Sequence, residues 1–182
     1  MSYDTLLNLI LSGDKGVGRE TLRKRFGFDL DDEETKNLPE LSPNVNVYAK
    51  EVEVNPSEIC RLQVWEVKLN EELPSSLSKC IENINGALFL FDITNKDSLD
   101  RLDEWLKAIR DRYPTIPVIV VGNKSDIQEK RFMGPMDSIE YAHDRFCKAY
   151  IEISAKTGRK VEIAFYMVVQ ILKDYWEQNP EK

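Results

Sequence analysis

Three short stretches carry residue types that could do chemistry together. Residues 13–20 read GDKGVGRE. Consecutive backbone N–H groups in such a turn, followed by a helix N-terminus, form a nest for anionic oxygens. The spacing of Gly13 and Gly18 matches G-x-x-x-x-G-K-[ST], the loop that cradles nucleotide phosphates, but Arg19 stands at the Lys position and Glu20 at the Ser/Thr position. Residues 122–126 read GNKSD. The Asp126 carboxylate can accept two N–H donors from the guanine edge, an arrangement adenine does not offer. The stem of Lys124 can lie over the base, and Asn123 can tie neighbouring segments together. In SAK, residues 154–156, the backbone N–H of Ala155 can meet the guanine carbonyl beside Ser154 while Lys156 covers the base. Each stretch alone is matched by an ordinary polar or glycine-rich turn; the combination is specific.

The elements that must position these residues follow from hydrophobic patterning. TLLNLILS (5–12) reads as a buried strand stopped by Gly13, and ETLRKRF (20–26) opens a helix. VNVYAKEVEV (45–54) and ICRLQVWEV (59–67) read as an antiparallel hairpin at the sheet edge, turned by Asn55-Pro56-Ser57. GALFLFDI (86–93), PVIVVGN (117–123) and YIEISA (150–155) read as further strands. Between them, residues 97–113 place Leu99, Leu102, Trp105, Leu106 and Ile109 on one helical face. The last helix is expected to bury Ile163, Met167, Ile171 and Leu172. Residues 29–44 are acidic, contain two prolines and show no period, which reads as a loop with solvated carboxylates. The order β-α-β-β-α-β-α-β-α-β-α predicts an α/β fold. Its six-stranded sheet is mostly parallel, with one antiparallel edge strand and helices on both faces. Ligands of such sheets sit beyond the carboxyl ends of the strands, where all three stretches fall.

The chain of 182 residues suits a single domain, with a core over about residues 5–176. Its net charge of -7 argues against a nucleic-acid partner, because phosphate backbones attract basic faces. Cys60, Cys80 and Cys147 are widely spaced, as suits reduced thiols packed as small hydrophobes. No apolar run approaches the ~20 residues that cross a bilayer. The ending WEQNPEK offers no cysteine to prenylate, and Ser2 excludes myristoylation at a glycine. The expectation is a cytoplasmic, monomeric chain without a visible lipid anchor.

GDKGVG, FDITNKDSLDRL with GNKSD, and EISAKTG resemble the Ras superfamily of small GTPases, especially its Rab-like members. The resemblance implies a P-loop NTPase fold of Ras-like G-domain type that binds GTP or GDP. It also implies two switch loops, about residues 29–45 and 67–80, that meet effector or regulatory proteins. Gly13, Lys15, Gly16, Val17, Gly18, Arg19, Glu20 and Thr21 would surround the phosphates. Asn123, Lys124, Asp126, Ser154, Ala155 and Lys156 would hold the base, with Phe28 the nearest aromatic to cover it.

The departures from the family pattern cluster where phosphate and metal chemistry occurs. Where members read W-D-T-A-G-Q, this chain has Trp65-Glu66-Val67-Lys68-Leu69-Asn70. Glu66 replaces the Asp that steadies Mg2+, and Asn70 replaces the Gln that orients the attacking water, so Asn70 is the remaining catalytic candidate. Ser42 aligns with the metal-binding Thr, which leaves Glu20, Ser42 and Glu66 as metal candidates and Mg2+ itself in doubt. A carboxylate 4 Å from a phosphate charge costs ~4 kcal/mol at an effective dielectric of about 20. Lys15 and Arg19 could neutralise Glu20, or the four charges of Lys15, Arg19, Glu20 and Glu66 could pair among themselves. The expected function is a nucleotide-binding switch or adaptor with slow or absent hydrolysis. The competing expectation is a pseudo-GTPase scaffold that binds partners without nucleotide.

Overall fold

The computed structural model describes residues 3–28, 45–67 and 83–180. Six strands form one sheet in the order β2-β3-β1-β4-β5-β6. They are β1 (Thr5–Gly13), β2 (Val45–Asn55), β3 (Glu58–Val67), β4 (Gly86–Asp92), β5 (Val118–Asn123) and β6 (Ala149–Glu152). β1 runs parallel to β3 and β4, β4 to β5, and β5 to β6, while β2 pairs antiparallel with β3. The expected hairpin is present, and Asn55 Oδ1 closes its turn by accepting from Ser57 N and Oγ at 3.0 and 2.8 Å.

Successive side chains of a strand point to opposite faces, and here both faces are apolar. Leu7, Leu9 and Leu11 of β1, Leu62 and Val64 of β3, Leu88 and Leu90 of β4, and Ile119 and Val121 of β5 face one side. There they meet helices α1 (Arg19–Phe26) and α4 (Val161–Gln178). The alternate residues Ile10, Trp65, Ala87, Phe89, Phe91, Val118 and Val120 face the other side. There they meet α2 (Lys96–Arg112) and α3 (Pro135–Asp144). The sheet is therefore sandwiched as the element order required. Asn95 caps α2 by accepting from Asp97 N at 3.1 Å. Asp103 on α2 takes Tyr141 Oη at 2.7 Å and Arg145 Nη2 at 2.9 Å, which ties α3 and its exit to α2. Among the described helices, none is long and apolar enough to cross a membrane.

Leu99, Leu102, Trp105, Leu106 and Ile109 are all buried, as the α2 periodicity required. The stripe expected for α4 holds at Leu172, is only partly buried at Met167 and Ile171, and is corrected at Ile163. Its buried face is Val161, Ala164, Phe165, Val168, Val169 and Leu172, while Ile163 is 60% exposed. Residue 163 lies two positions from Val161, about 200° around a helix of 3.6 residues per turn, so only one of the two can face the sheet. Cys60 is buried, and burial pushes its thiol up to about 11, whereas Cys147 is only partly buried. Cys80, and the helix expected between the third and fourth strands, lie outside the described residues.

Candidate functional site

The pairing registers bring the carboxyl ends of the parallel strands to one edge. Leu11 aligns with Glu66, Gly13 with Leu90, Asp92 with Asn123 and Gly122 with Glu152. Asn123 is the tie at that edge. Its Nδ2 donates to the carbonyl of Val17 at 2.7 Å, and its Oδ1 accepts from Ala155 N at 2.9 Å. The side chain is 2% exposed, so both bonds are made away from water, where an unmade bond is most costly. One residue thus joins the glycine-rich loop, the end of β5 and the SAK loop.

The base-side residues are gathered around this tie. Asp126 is exposed at the rim, and its Oδ1 accepts from Ser154 Oγ at 2.6 Å. The Ser154 hydroxyl, with help from nearby Lys156 and Lys124, holds the Asp126 carboxyl below the usual carboxylate range. Lys124 adopts a left-handed backbone, φ 67°, a conformation seldom used outside glycine. It places Nζ 2.6 Å from Asp92 Oδ2. Burial alone would raise the Asp92 carboxyl, but Lys124 and two bonds from Thr94 outweigh it and leave it lowered. Lys156 is exposed beside them. The Ala155 N–H assigned to the guanine carbonyl already serves Asn123, so a bound base would share it. Phe28 is corrected: its ring is 5% exposed and packs against Phe26 and Phe165, making it a core residue instead of a cover for the base.

On the phosphate side, GDKGVG forms the turn between β1 and α1 that the spacing required. A Cβ at Gly13 (φ 151°) would lie 2.3 Å from the Leu90 carbonyl oxygen, and one at Gly18 (φ 99°) would lie 2.4 Å from Asn123 Nδ2. Both positions exclude a side chain because neighbouring strand ends press on the loop. Lys15 and Gly16 are exposed at its crest, Val17 is buried beneath it, and Thr21 is exposed on α1.

The charges have sorted themselves. Arg19 Nη1 donates to the Val67 carbonyl at 2.5 Å, and Nε stands 3.9 Å from Glu66 Oε1. Burial lowers the Arg19 pKa, while Glu66 and Asp14 hold it up. Glu66 is 5% exposed and acts on the nearby Tyr48 phenol, which burial and the Glu66 charge push above its ordinary value. The guanidinium of Arg23 lies 4.4 Å over the Tyr48 ring. Glu20 pairs with Lys24 at 2.5 Å, one turn along α1. Of the four charges that could have paired together, Arg19 and Glu66 do so.

Magnesium asks for hard oxygen donors in a near-octahedral array. Of the residues assigned to it, Ser42 lies outside the described segments, as does Asn70. Glu20 is turned to Lys24, and Glu66 to Arg19 and Tyr48. A divalent ion 4 Å from a guanidinium meets a repulsion of about 8 kcal/mol at an effective dielectric of 20, twice the unit-charge value. As arranged, Glu20, Glu66 and Arg19 do not fit the ion.

Three structural partners escaped the sequence reading. Arg25 reaches from α1 to the carbonyls of Ala155 and Lys156, at 3.3 and 2.5 Å, across a sequence separation of 130 residues for the first. Nothing local signals that contact. Asp14 in the glycine-rich loop accepts from Arg101 of α2 at 3.0 Å. Asp92, which ends β4, meets Lys124 at 2.6 Å, a contact that no sequence pattern announces.

The model of the Ras family matches residues 8–174. GTP-binding protein ypt4 of Schizosaccharomyces pombe is 30% identical over 175 residues, which cover 94% of this chain and 73% of ypt4. Ras-related protein Rab-1 of Theileria parva is 33% identical over 181 residues, covering 98% of this chain and 79% of its own. GTP-binding protein ypt1 of S. pombe is 31% identical over 179 residues, covering 97% and 85%. The chain belongs to the Ras family of small GTPases, and within it to the Rab-like kind.

Proposed function

We propose that this Rab-like chain binds GDP or GTP, hydrolyses GTP very slowly or not at all, and works in the cytoplasm as a switch or adaptor. Residues about 29–45 and 67–80 are its surfaces for effector or regulatory proteins. The observation that carries this reading is the Asn123 tie, which holds the glycine-rich loop and the SAK loop together beside the outward carboxylate of Asp126. That carboxylate is ionised at neutral pH and can accept both N–H groups of a guanine edge. The names of ypt4 and ypt1, both called GTP-binding proteins, support the same ligand.

The weak hydrolysis rests on the other half of the site. Phosphoryl transfer needs a positioned nucleophile, a metal and charge stabilisation together. Here Glu66 is committed to Arg19 and Tyr48, and Glu20 to Lys24. One observation favours a second reading, a pseudo-GTPase scaffold: the Arg19 guanidinium bonds the Val67 carbonyl and faces Glu66 within the protein itself.

Purification without added nucleotide, followed by denaturation and chromatography of whatever is released, separates the two. Guanine nucleotide near one equivalent, with no measurable multi-turnover phosphate release, is the expected result. Absence of binding to both GDP and GTP in a direct titration refutes the nucleotide reading and leaves the scaffold. Steady turnover abolished by Asp126→Ala refutes the slow-hydrolysis part alone.

A further inference from the structure

We infer that guanine-nucleotide binding by this chain does not depend on a divalent metal ion, the Arg19 guanidinium taking over the positive charge that an ion and a lysine supply together elsewhere in the family. The inference rests on the nucleotide-binding reading above and deepens it.

The positive charge at this end of the sheet is held by more than one contact. Arg19 is anchored at the Val67 carbonyl at 2.5 Å, and Ser12 Oγ steadies the same oxygen at 3.2 Å. Glu66 faces Arg19, its Oε1 3.9 Å from Nε, and its charge also acts on the Tyr48 phenol. Behind Tyr48 lies the buried guanidinium of Arg23, whose Nε has no hydrogen-bond partner among the described residues. The partly buried Arg19 guanidinium therefore stands directly against the buried Glu66 carboxylate, where a divalent ion would have to sit. A metal approaching Glu66 would have to displace Arg19 and would be repelled by it.

Arg19 begins α1, directly after the left-handed Gly18 that ends the glycine-rich nest. A guanidinium carries five N–H donors in a planar fork suited to phosphate oxygens, and the Val67 carbonyl occupies Nη1. The helix N-terminus adds its own partial positive charge to the same place. Glu20, the acid in the first turn, is drawn onto Lys24 at 2.5 Å. The nest, the fork and the helix end together meet a diphosphate without a bridging cation.

The test is a calorimetric titration of GDP into the full chain stripped of nucleotide, run in millimolar Mg2+ and again in EDTA. The expected dissociation constants agree within about threefold. Tightening by tenfold or more in Mg2+ overturns this inference while leaving nucleotide binding intact. No heat and no retained nucleotide in either buffer sinks the binding reading beneath it, so the two failures are distinct. Mn2+ paramagnetic resonance reports on the metal directly. GDP-loaded protein is expected to leave the free-aqua signal undiminished beyond what free GDP removes, and stoichiometric loss of that signal overturns the inference. Arg19→Ala is expected to weaken GDP by at least about tenfold in both buffers. Unchanged affinity in that variant, or rescue by Mg2+, takes the role away from Arg19.

Discussion

Replacing Gly18 by alanine should be far more damaging when Asn123 is present than when it is absent. A Cβ at residue 18 would stand 2.4 Å from Asn123 Nδ2, on a backbone with φ 99°. The left-handed backbone alone costs an alanine about 1 kcal/mol. Displacing Asn123 also strips its two buried bonds, to the Val17 carbonyl and from the Ala155 N–H. Leaving both partners buried and unpaired costs roughly 3 kcal/mol together. Gly18→Ala is then expected to lose about 4 kcal/mol and Asn123→Ala about 3 kcal/mol. With Asn123 already removed the clash is gone, so the double variant should lose about 4 kcal/mol instead of about 7. The coupling of about 3 kcal/mol is measurable by urea unfolding of the nucleotide-stripped proteins, provided the slope with denaturant stays constant. The three tryptophans serve as the fluorescence probe. Losses that add within about 0.5 kcal/mol would refute the claim that these two residues share one tightly packed contact.

Asp126→Ala should weaken GDP about 100-fold by calorimetry, the equivalent of two charge-assisted bonds at roughly 1.5 kcal/mol each. Because the Ser154 hydroxyl depresses the Asp126 carboxyl, GDP affinity should persist as pH falls through the ordinary carboxylate range and fail only below it. Ser154→Ala should move that acid limb to higher pH, and an unmoved limb would take the role from Ser154. Arg25→Ala should free the SAK loop carbonyls and cost about tenfold in GDP affinity, with hydrogen exchange quickening at residues 154–158. The Asp103 carboxyl is held below its ordinary value, chiefly by Arg145. Its contribution is therefore present above the ordinary carboxylate pKa and lost as pH falls through the depressed one. Half exposure limits it to about 1 kcal/mol or less, which Asp103→Asn should remove at neutral pH and leave unchanged in strong acid.

The succession of elements was legible because each strand announces itself by apolar runs bounded by turn residues, and the mostly parallel character follows from the helices between them. The clustering of Asn123, Asp126 and Ser154 at one edge was legible for a related reason. Asn123, Asp126 and Ser154 lie at strand ends, so their placement is inherited from the sheet. Phe28 and the α4 face were misread because position in the sequence does not say which side of an element meets the core. Phe28 went to Phe26 and Phe165, and Val161 took the inward direction from Ile163.

Local order along the chain determined the α/β frame and the glycine-rich turn, since these need only near neighbours and the period of hydrophobic residues. Tertiary packing alone decided what Arg19 and Glu66 do. Lys15, Arg19, Glu20 and Glu66 could be written into several pairings from sequence. The pair of Arg19 with Glu66 emerged when β3 was laid beside β1 and α1 closed over them, whereas Glu20 and Lys24 meet one turn apart on α1 itself. Coulomb attraction depends on distance and on exclusion of water, and neither exists until the sheet has brought residues 19, 48 and 66 together.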